Sequence, residues 1–223
     1  MRRPLAIALQ HEDGAPPGLL EPWAQDRGVH LRTVRVDLGE QLPDPEQVDF
    51  AVVLGATPSV FDPEVSWVPG ELRWIAAADA AGVPLLGVCF GGQAIAAALG
   101  GQVRAAPEPE VGWIEIDRDG AGFAGGPWLS WHRDVIDPPP GARVTARSAV
   151  GVHAYELGPH LGLQFHPEVT VDIVAGWVRD SPEELRGIGV DGDELLEQCR
   201  RHAELAGAQA FALFDAFISG LAR

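Results

Sequence analysis

The first hundred residues alternate short apolar runs with helix-like stretches, and that order leaves few folds open. "PLAIALQ" (Pro4–Gln10) is strand-like and runs into the turn-rich "EDGAPPG". "LLEPWAQDRG" (Leu19–Gly28) predicts a short helix stopped at Gly28, and "HLRTVRV" (His30–Val36) alternates with period two. "VDFAVVLG" (Val48–Gly55) is apolar throughout, the pattern of a strand covered on both faces. "PGELRWIAAADAAG" (Pro69–Gly82) carries Leu72, Ile75, Ala76 and Asp79 at helical spacing, and "VPLLGV" follows as another short apolar strand. Strands separated by helices in this way predict an α/β fold: a mostly parallel central sheet flanked by helices.

The second half is richer in strands. "VGWIEID" (Val111–Asp117), "ARVTARS" (Ala142–Ser148), "GVHAYELG" (Gly151–Gly158) and "LGLQFHP" (Leu161–Pro167) are separated by turn signals such as "PPPG", and predict an antiparallel extension of the sheet. From Asp191 to Arg223, Leu195, Leu196, Cys199, Phe211, Phe214, Phe217 and Ile218 fall at helical spacing, which predicts one or two amphipathic helices with a possible break at Gly207. Neither an internal repeat nor a linker is evident, so residues 1–223 are expected to form one domain.

Composition narrows the partners. Acidic residues outnumber basic ones 32 to 16, giving a formal charge of −16. Such a surface repels phosphate backbones and anionic lipid, so neither nucleic acid nor a membrane is expected as a partner. The apolar run at the N-terminus, Leu5 to Leu9, is too short for a signal segment. Two cysteines, Cys89 and Cys199, make no disulfide framework and suit a reducing compartment, so the expected location is the cytoplasm.

Cys89 stands at the seam between the apolar strand "VPLLGV" and the helix-like "GQAIAAALG". Gly87-Val88-Cys89-Phe90-Gly91 has the form of a nucleophile elbow, with sulfur in place of a serine oxygen. A nucleophile on so sharp a turn needs small residues two positions to either side. The turn also sets the sulfur at a helix N-terminus, where unpaired N–H groups favour a thiolate. A nucleophilic thiol needs a base, and one of the seven histidines is well placed. In "GLQFHPEVT", His166 follows an apolar strand directly, which delivers it to the same sheet edge as Cys89. Pro167 stiffens the turn, so that Glu168 can reach back to the imidazole and fix its tautomer. Cys89, His166 and Glu168 thus fill the roles of nucleophile, base and orienting acid. His-Pro-Glu lacks the helical spacing of a metal-ligand pair, and no metal or other cofactor is expected.

"GVCFGGQ" together with "GLQFHPE" resembles the class I, triad-type glutamine amidotransferase family, most nearly the glutaminase domain of the GMP-synthase type. The similarity runs in order through most of the chain: "VVLGATPSV" matches the loop after the third strand, and "PEVGW" and "SWHRDVIDPPPGA" match later segments. The resemblance implies the flavodoxin-like fold of that family, glutamine as substrate, and a glutamyl thioester on Cys89. It implies an oxyanion site made by backbone N–H groups of Phe90 and of the Gly55-Ala56 loop. Gln93 corresponds to a residue lining the glutamine pocket, and Trp131, His132 and Arg133 to the segment that meets the substrate's amino-acid end. The chain carries no P-loop or synthetase motif, so an ammonia-accepting synthase partner is implied as well. Two positions depart from the family pattern. Ala56 and Thr57 stand where Gly-Pro is usual, which costs about 1 kcal/mol if Ala56 must take a positive φ. Arg133 stands where a small residue is common. These departures leave a γ-glutamyl peptidase as an alternative; a non-catalytic family member is opposed by the intact Cys89, His166 and Glu168.

Overall fold

The computed structural model describes residues 3–119, 123 and 125–220. The last three residues of the predicted C-terminal helical segment, 221–223, lie outside the described residues, as do residues 1 and 2. The elements in chain order are β1 (Leu5–Gln10), α1 (Leu20–Arg27), β2 (His30–Arg35), β3 (Phe50–Val53), α2 (Val68–Ala80), β4 (Leu85–Val88), α3 (Phe90–Ala98), β5 (Gln102–Ile114), β6 (Asp117–Arg118), β7 (Trp128–Asp137), β8 (Arg143–Arg147), β9 (Val152–Leu157), β10 (His160–Leu163), α4 (Val171–Asp180), α5 (Pro182–Gly187) and α6 (Gly192–Gly220).

One sheet runs in the order β2-β1-β3-β4-β10-β9-β7-β5, with β8 also paired to β9, and β6 to β8. The first five strands are mutually parallel, and the rest join antiparallel. The fold is therefore the expected α/β one. Every residue of β3, β4 and β10 is buried, as apolar runs covered on both faces require. The edge strand β2 alternates between exposed and covered positions. One core lies between the sheet and α1 and α6, around Trp23, Phe50, Phe165 and Phe214; the other lies under α2 and α3, around Ile7, Ile75, Leu85 and Ile95. Among the described residues no helix is long and apolar enough to cross a membrane.

Register places the chemistry. Val88 of β4 is level with Leu163 of β10, and Val53 of β3 is level with Gly87. The chain therefore leaves three neighbouring strands at Leu54, Cys89 and Gln164, side by side at the C-terminal edge of the parallel sheet, where α/β sites form. β1 ends one strand further over, and Leu54 N–H donates to Leu9 O at 3.1 Å. That brings His11 to the same edge.

Several boundaries differ from the sequence-based expectation. "LGLQFHP" is strand only as far as Leu163. β7 and the helices α4 and α5 fall in segments for which no element was expected, and α6 passes through Gly207 without a break. β5 begins nine residues before Val111 and absorbs Pro107 and Pro109 at a bulge between Ala105 and Glu110.

Candidate active site

Cys89 has φ 51° and ψ −109°, the one non-glycine residue with positive φ among the described residues. A strained φ of this kind persists only where the surroundings enforce it. Here Cys89 N–H is held by Leu163 O at 2.9 Å, and Cys89 O accepts from Gln93 N–H at 3.1 Å as the first bond of α3. The tight turn also needs glycines. A methyl group on Gly91 would stand 1.9 Å from Val53 O, and one on Gly92 would stand 2.4 Å from Leu163 O. One on Gly87 would stand 2.5 Å from the Gly91 backbone. Gly91 and Gly92 thus let α3 settle directly onto β3 and β10, which fixes the sulfur at the N-terminus of the helix.

His166 is anchored by its own N–H on Leu129 O of β7 at 2.9 Å. Its Nδ1 lies 2.8 Å from Glu168 Oε1, and both side chains are buried. Nε2 is buried without a hydrogen-bond partner among the described residues, as is Glu168 Oε2. The carboxylate assigns the ring proton to Nδ1 and leaves Nε2 as the nitrogen open to a further proton. Gly55 closes the arrangement: a methyl group there would come 3.2 Å from His166 Cε1 and 3.8 Å from Cys89 Cβ. Burial works to lower the pKa of His166, but the charge of Glu168, and then interaction with Cys89, outweigh it and hold the imidazole well above its ordinary value.

That shift has a consequence for stability. An unfolded histidine titrates near pH 6.5, and the folded value is higher. The extra stability is fully present below the unfolded value and fades as pH rises through the folded one. Glu168→Gln removes the charge that raises His166. Wild type is therefore expected to exceed this variant in urea-unfolding stability by more at about pH 6 than at about pH 9. An equal gap at both pH values would contradict the pairing.

Other expected residues are also brought close. Phe90 is buried as the first residue of α3, where backbone N–H groups have no helical acceptor. Gln93 is buried behind the sulfur, its Nε2 3.3 Å from Gln164 Oε1 and 3.5 Å from Asp134 O. Trp131 presents its carbonyl 3.7 Å from Cys89 Sγ. Its ring meets Trp177 edge-on at 5.6 Å, and Trp177 meets His166 in the same way at 4.9 Å. Ala56 does not have a positive φ, so alanine in the loop after β3 carries no backbone strain.

His132 and Arg133 sit differently. The His132 ring is turned inward, with Nδ1 on Asp134 O at 2.9 Å and Nε2 on Glu110 Oε2 at 3.0 Å. Successive residues of a strand face opposite ways, so His132 lies on the face away from Trp131. Arg133 is exposed, and its Nε is 3.6 Å from Glu184 of α5.

Glu110, His132 and His153 are the group of three metal-type donors that the fold gathers among the described residues. The Glu110 oxygens are already engaged: Oε2 accepts from Ser130 Oγ at 3.0 Å as well as from His132, and Oε1 accepts from Ser148 Oγ at 2.8 Å. His153 Nε2 is 2.8 Å from Oε2 but lacks hydrogen-bond geometry. Burial pushes the Glu110 pKa up, yet contacts with His132, His153 and Ser148 hold it well below the carboxylate range. The group is a buried polar knot tying β5, β7 and β9.

Sequence reasoning missed Gln164, whose Nε2 lies 3.6 Å from Cys89 Sγ, and Trp177. It also passed over His11, although His11 directly follows β1 much as His166 follows the apolar run of β10.

The model of the family "Glutamine amidotransferase class-I" matches residues 24–173. The GMP synthase (glutamine-hydrolyzing) of Thermomicrobium roseum is 41% identical over 127 residues, which is 53% of this chain and only 23% of that longer protein. One of the subunits of the glutamine-hydrolyzing GMP synthase of Ignicoccus hospitalis is 36% identical over 142 residues, 57% of this chain and 72% of that one. A crystal structure of a glutamine amidotransferase from Methylobacillus flagellatus superposes with a TM-score of 0.88 at 27% identity, covering 98% of this chain and 95% of the other.

Proposed function

Because this chain belongs to the class-I glutamine amidotransferase family, we propose that it hydrolyses glutamine on Cys89 and passes the ammonia to a separate synthase subunit. One observation carries the chemistry: a cysteine forced to positive φ at a strand-to-helix turn, beside a buried histidine with a free Nε2 and a carboxylate on its Nδ1.

In this mechanism Cys89 Sγ gives its proton to Nε2 of His166 and attacks the side-chain amide carbon of glutamine, and the carbonyl oxygen takes up negative charge. The N–H of Phe90, at the start of α3, and the N–H of Ala56 stabilise that oxygen. Nε2 of His166 delivers a proton to the amide nitrogen as the C–N bond breaks, and ammonia leaves a glutamyl thioester behind. Water then gives a proton to Nε2 and attacks the thioester, so glutamate departs and the thiol is restored. Glu168 keeps the ring in one tautomer and supports its positive charge. The aromatic pair Trp131 and Trp177 limits water around His166.

A separate acceptor is supported by the Ignicoccus relative, which is itself one subunit of a synthase, and by the chemistry: ammonia released into water is trapped as ammonium. The same reading places the reaction in the cytoplasm, with residues 1–223 working as one domain. The test measures glutamate and ammonia release from glutamine, with and without a GMP-synthase-type synthetase subunit. The expected result is slow hydrolysis alone and a rise of roughly tenfold or more with the partner. No ammonia in either condition would contradict the reading. With no strain at Ala56, and with Arg133 exposed and paired to Glu184, neither departure specifically favours a larger γ-glutamyl substrate.

A further inference from the structure

A second histidine–glutamate pair lies behind the first. His11 is the first residue beyond β1, and Glu71 is in the first turn of α2; both are buried. His11 Nε2 is 2.9 and 3.0 Å from the two oxygens of Glu71, and His11 Nδ1 is 3.2 Å from Gly55 O. The ring is clamped between Trp67, stacked at 4.8 Å, and Phe90, at 5.1 Å. A carbonyl oxygen can only accept, so Nδ1 carries a proton and donates it to Gly55. Nε2 then shares a second proton with Glu71. Whichever of the two holds that proton, the ring stays fixed as a donor toward Gly55. Burying a carboxylate is costly unless it is paired, and here its partner grips one peptide of the loop beside Cys89.

That peptide is the one that matters for catalysis. The bond between Gly55 and Ala56 is trans, so its C=O and N–H point in opposite directions. Holding the carbonyl on the His11 side turns the Ala56 N–H away from His11. That N–H has no hydrogen-bond partner among the described residues. We propose that His11, held by Glu71, is a positioning residue that sets the orientation of the Gly55–Ala56 peptide and thereby aims an oxyanion donor beside Cys89. The proposal rests on the mechanism given above. It also accounts for alanine at position 56, because the donor is aimed from the carbonyl side and needs no glycine freedom.

The test compares wild type, His11→Leu and His11→Asn with three reagents. Glutamine hydrolysis and acylation of Cys89 by p-nitrophenyl acetate, in which the thiolate displaces p-nitrophenolate, both pass through an oxyanion. Alkylation by iodoacetamide, in which sulfur displaces iodide from a saturated carbon, does not. His11→Leu is expected to lose about 30-fold or more in kcat for glutamine and in acylation rate, with KM and the alkylation rate within about threefold of wild type. His11→Asn keeps an N–H donor near the place of Nδ1 and is expected to recover most of the loss. An unaltered acylation rate in His11→Leu, an equal loss in alkylation, or no recovery in His11→Asn would each overturn the proposal. If wild type acylates with the ester but never hydrolyses glutamine, the glutaminase reading fails while the ester and iodoacetamide rates still decide the role of His11.

Discussion

Cys89→Ala is expected to lower glutamine hydrolysis by about 10,000-fold or more while leaving the fold intact, since removing the nucleophile of a catalytic set abolishes the pathway it serves. Cys89 is buried in a turn whose shape is set by backbone bonds to Leu163 and Gln93, and those survive loss of the sulfur. Alanine at φ 51° remains strained, as cysteine is, so the unfolding midpoint is expected to stay close to wild type. Glutamate release is the readout for activity, and urea unfolding is the readout for the fold. Residual hydrolysis within tenfold of wild type would show that the sulfur is not the nucleophile. The other cysteine offers a contrast: Cys199 accepts from Trp113 Nε1 at 3.2 Å and lies far along the chain in α6, where burial pushes its thiol pKa up.

Gly91→Ala is expected to give the largest loss of stability. The added methyl would stand 1.9 Å from Val53 O and 2.5 Å from its carbonyl carbon. Both are backbone atoms of β3, so no flexible side chain can yield; α3 must lift off the sheet. A cost of about 3 kcal/mol or more is expected, along with displacement of Cys89 from its turn and loss of activity. Gly207→Ala is the matched control. Gly207 lies inside α6 with nothing within 4 Å of an added methyl, and there the substitution is expected to stabilise by about 0.5–1 kcal/mol. Thermal unfolding of the two variants side by side checks both signs. A Gly91→Ala protein with wild-type midpoint and activity would mean that the close approach of α3 to β3 is not as described.

The parallel half of the sheet was legible because its strands are covered on both faces and so read as continuous apolar runs; Phe50–Val53 and Leu85–Val88 are examples. The closeness of Cys89 and His166 was legible for a related reason. Cys89 and His166 each follow such a run, and the strands that carry them, β4 and β10, are neighbours in the sheet. β7 was hidden by its own chemistry. Ser130, His132 and Asp134 are buried polar residues in the middle of a strand, and the partner that satisfies Ser130 and His132, Glu110, lies more than fifteen residues away. A polar stretch of this kind looks like a loop until its partners are known. Pro107 and Pro109 concealed the start of β5 in the same way, because a strand tolerates them only where they fall here, on an edge strand at a bulge. Strand alternation explains His132: the Trp131 ring packs against Trp177 on the His166 side, so the next side chain points into the opposite face.

In the proposed mechanism Cys89 becomes acylated by the γ-carbonyl of glutamine, with His166 as the proton carrier. Rapid acid quenching of the protein mixed with glutamine, followed by peptide mass analysis, tests it directly. A glutamyl adduct is expected on the peptide containing Cys89, absent from the peptide containing Cys199 and absent in His166→Ala. Glutamine turnover without any adduct on Cys89, or an equal adduct in His166→Ala, would contradict it.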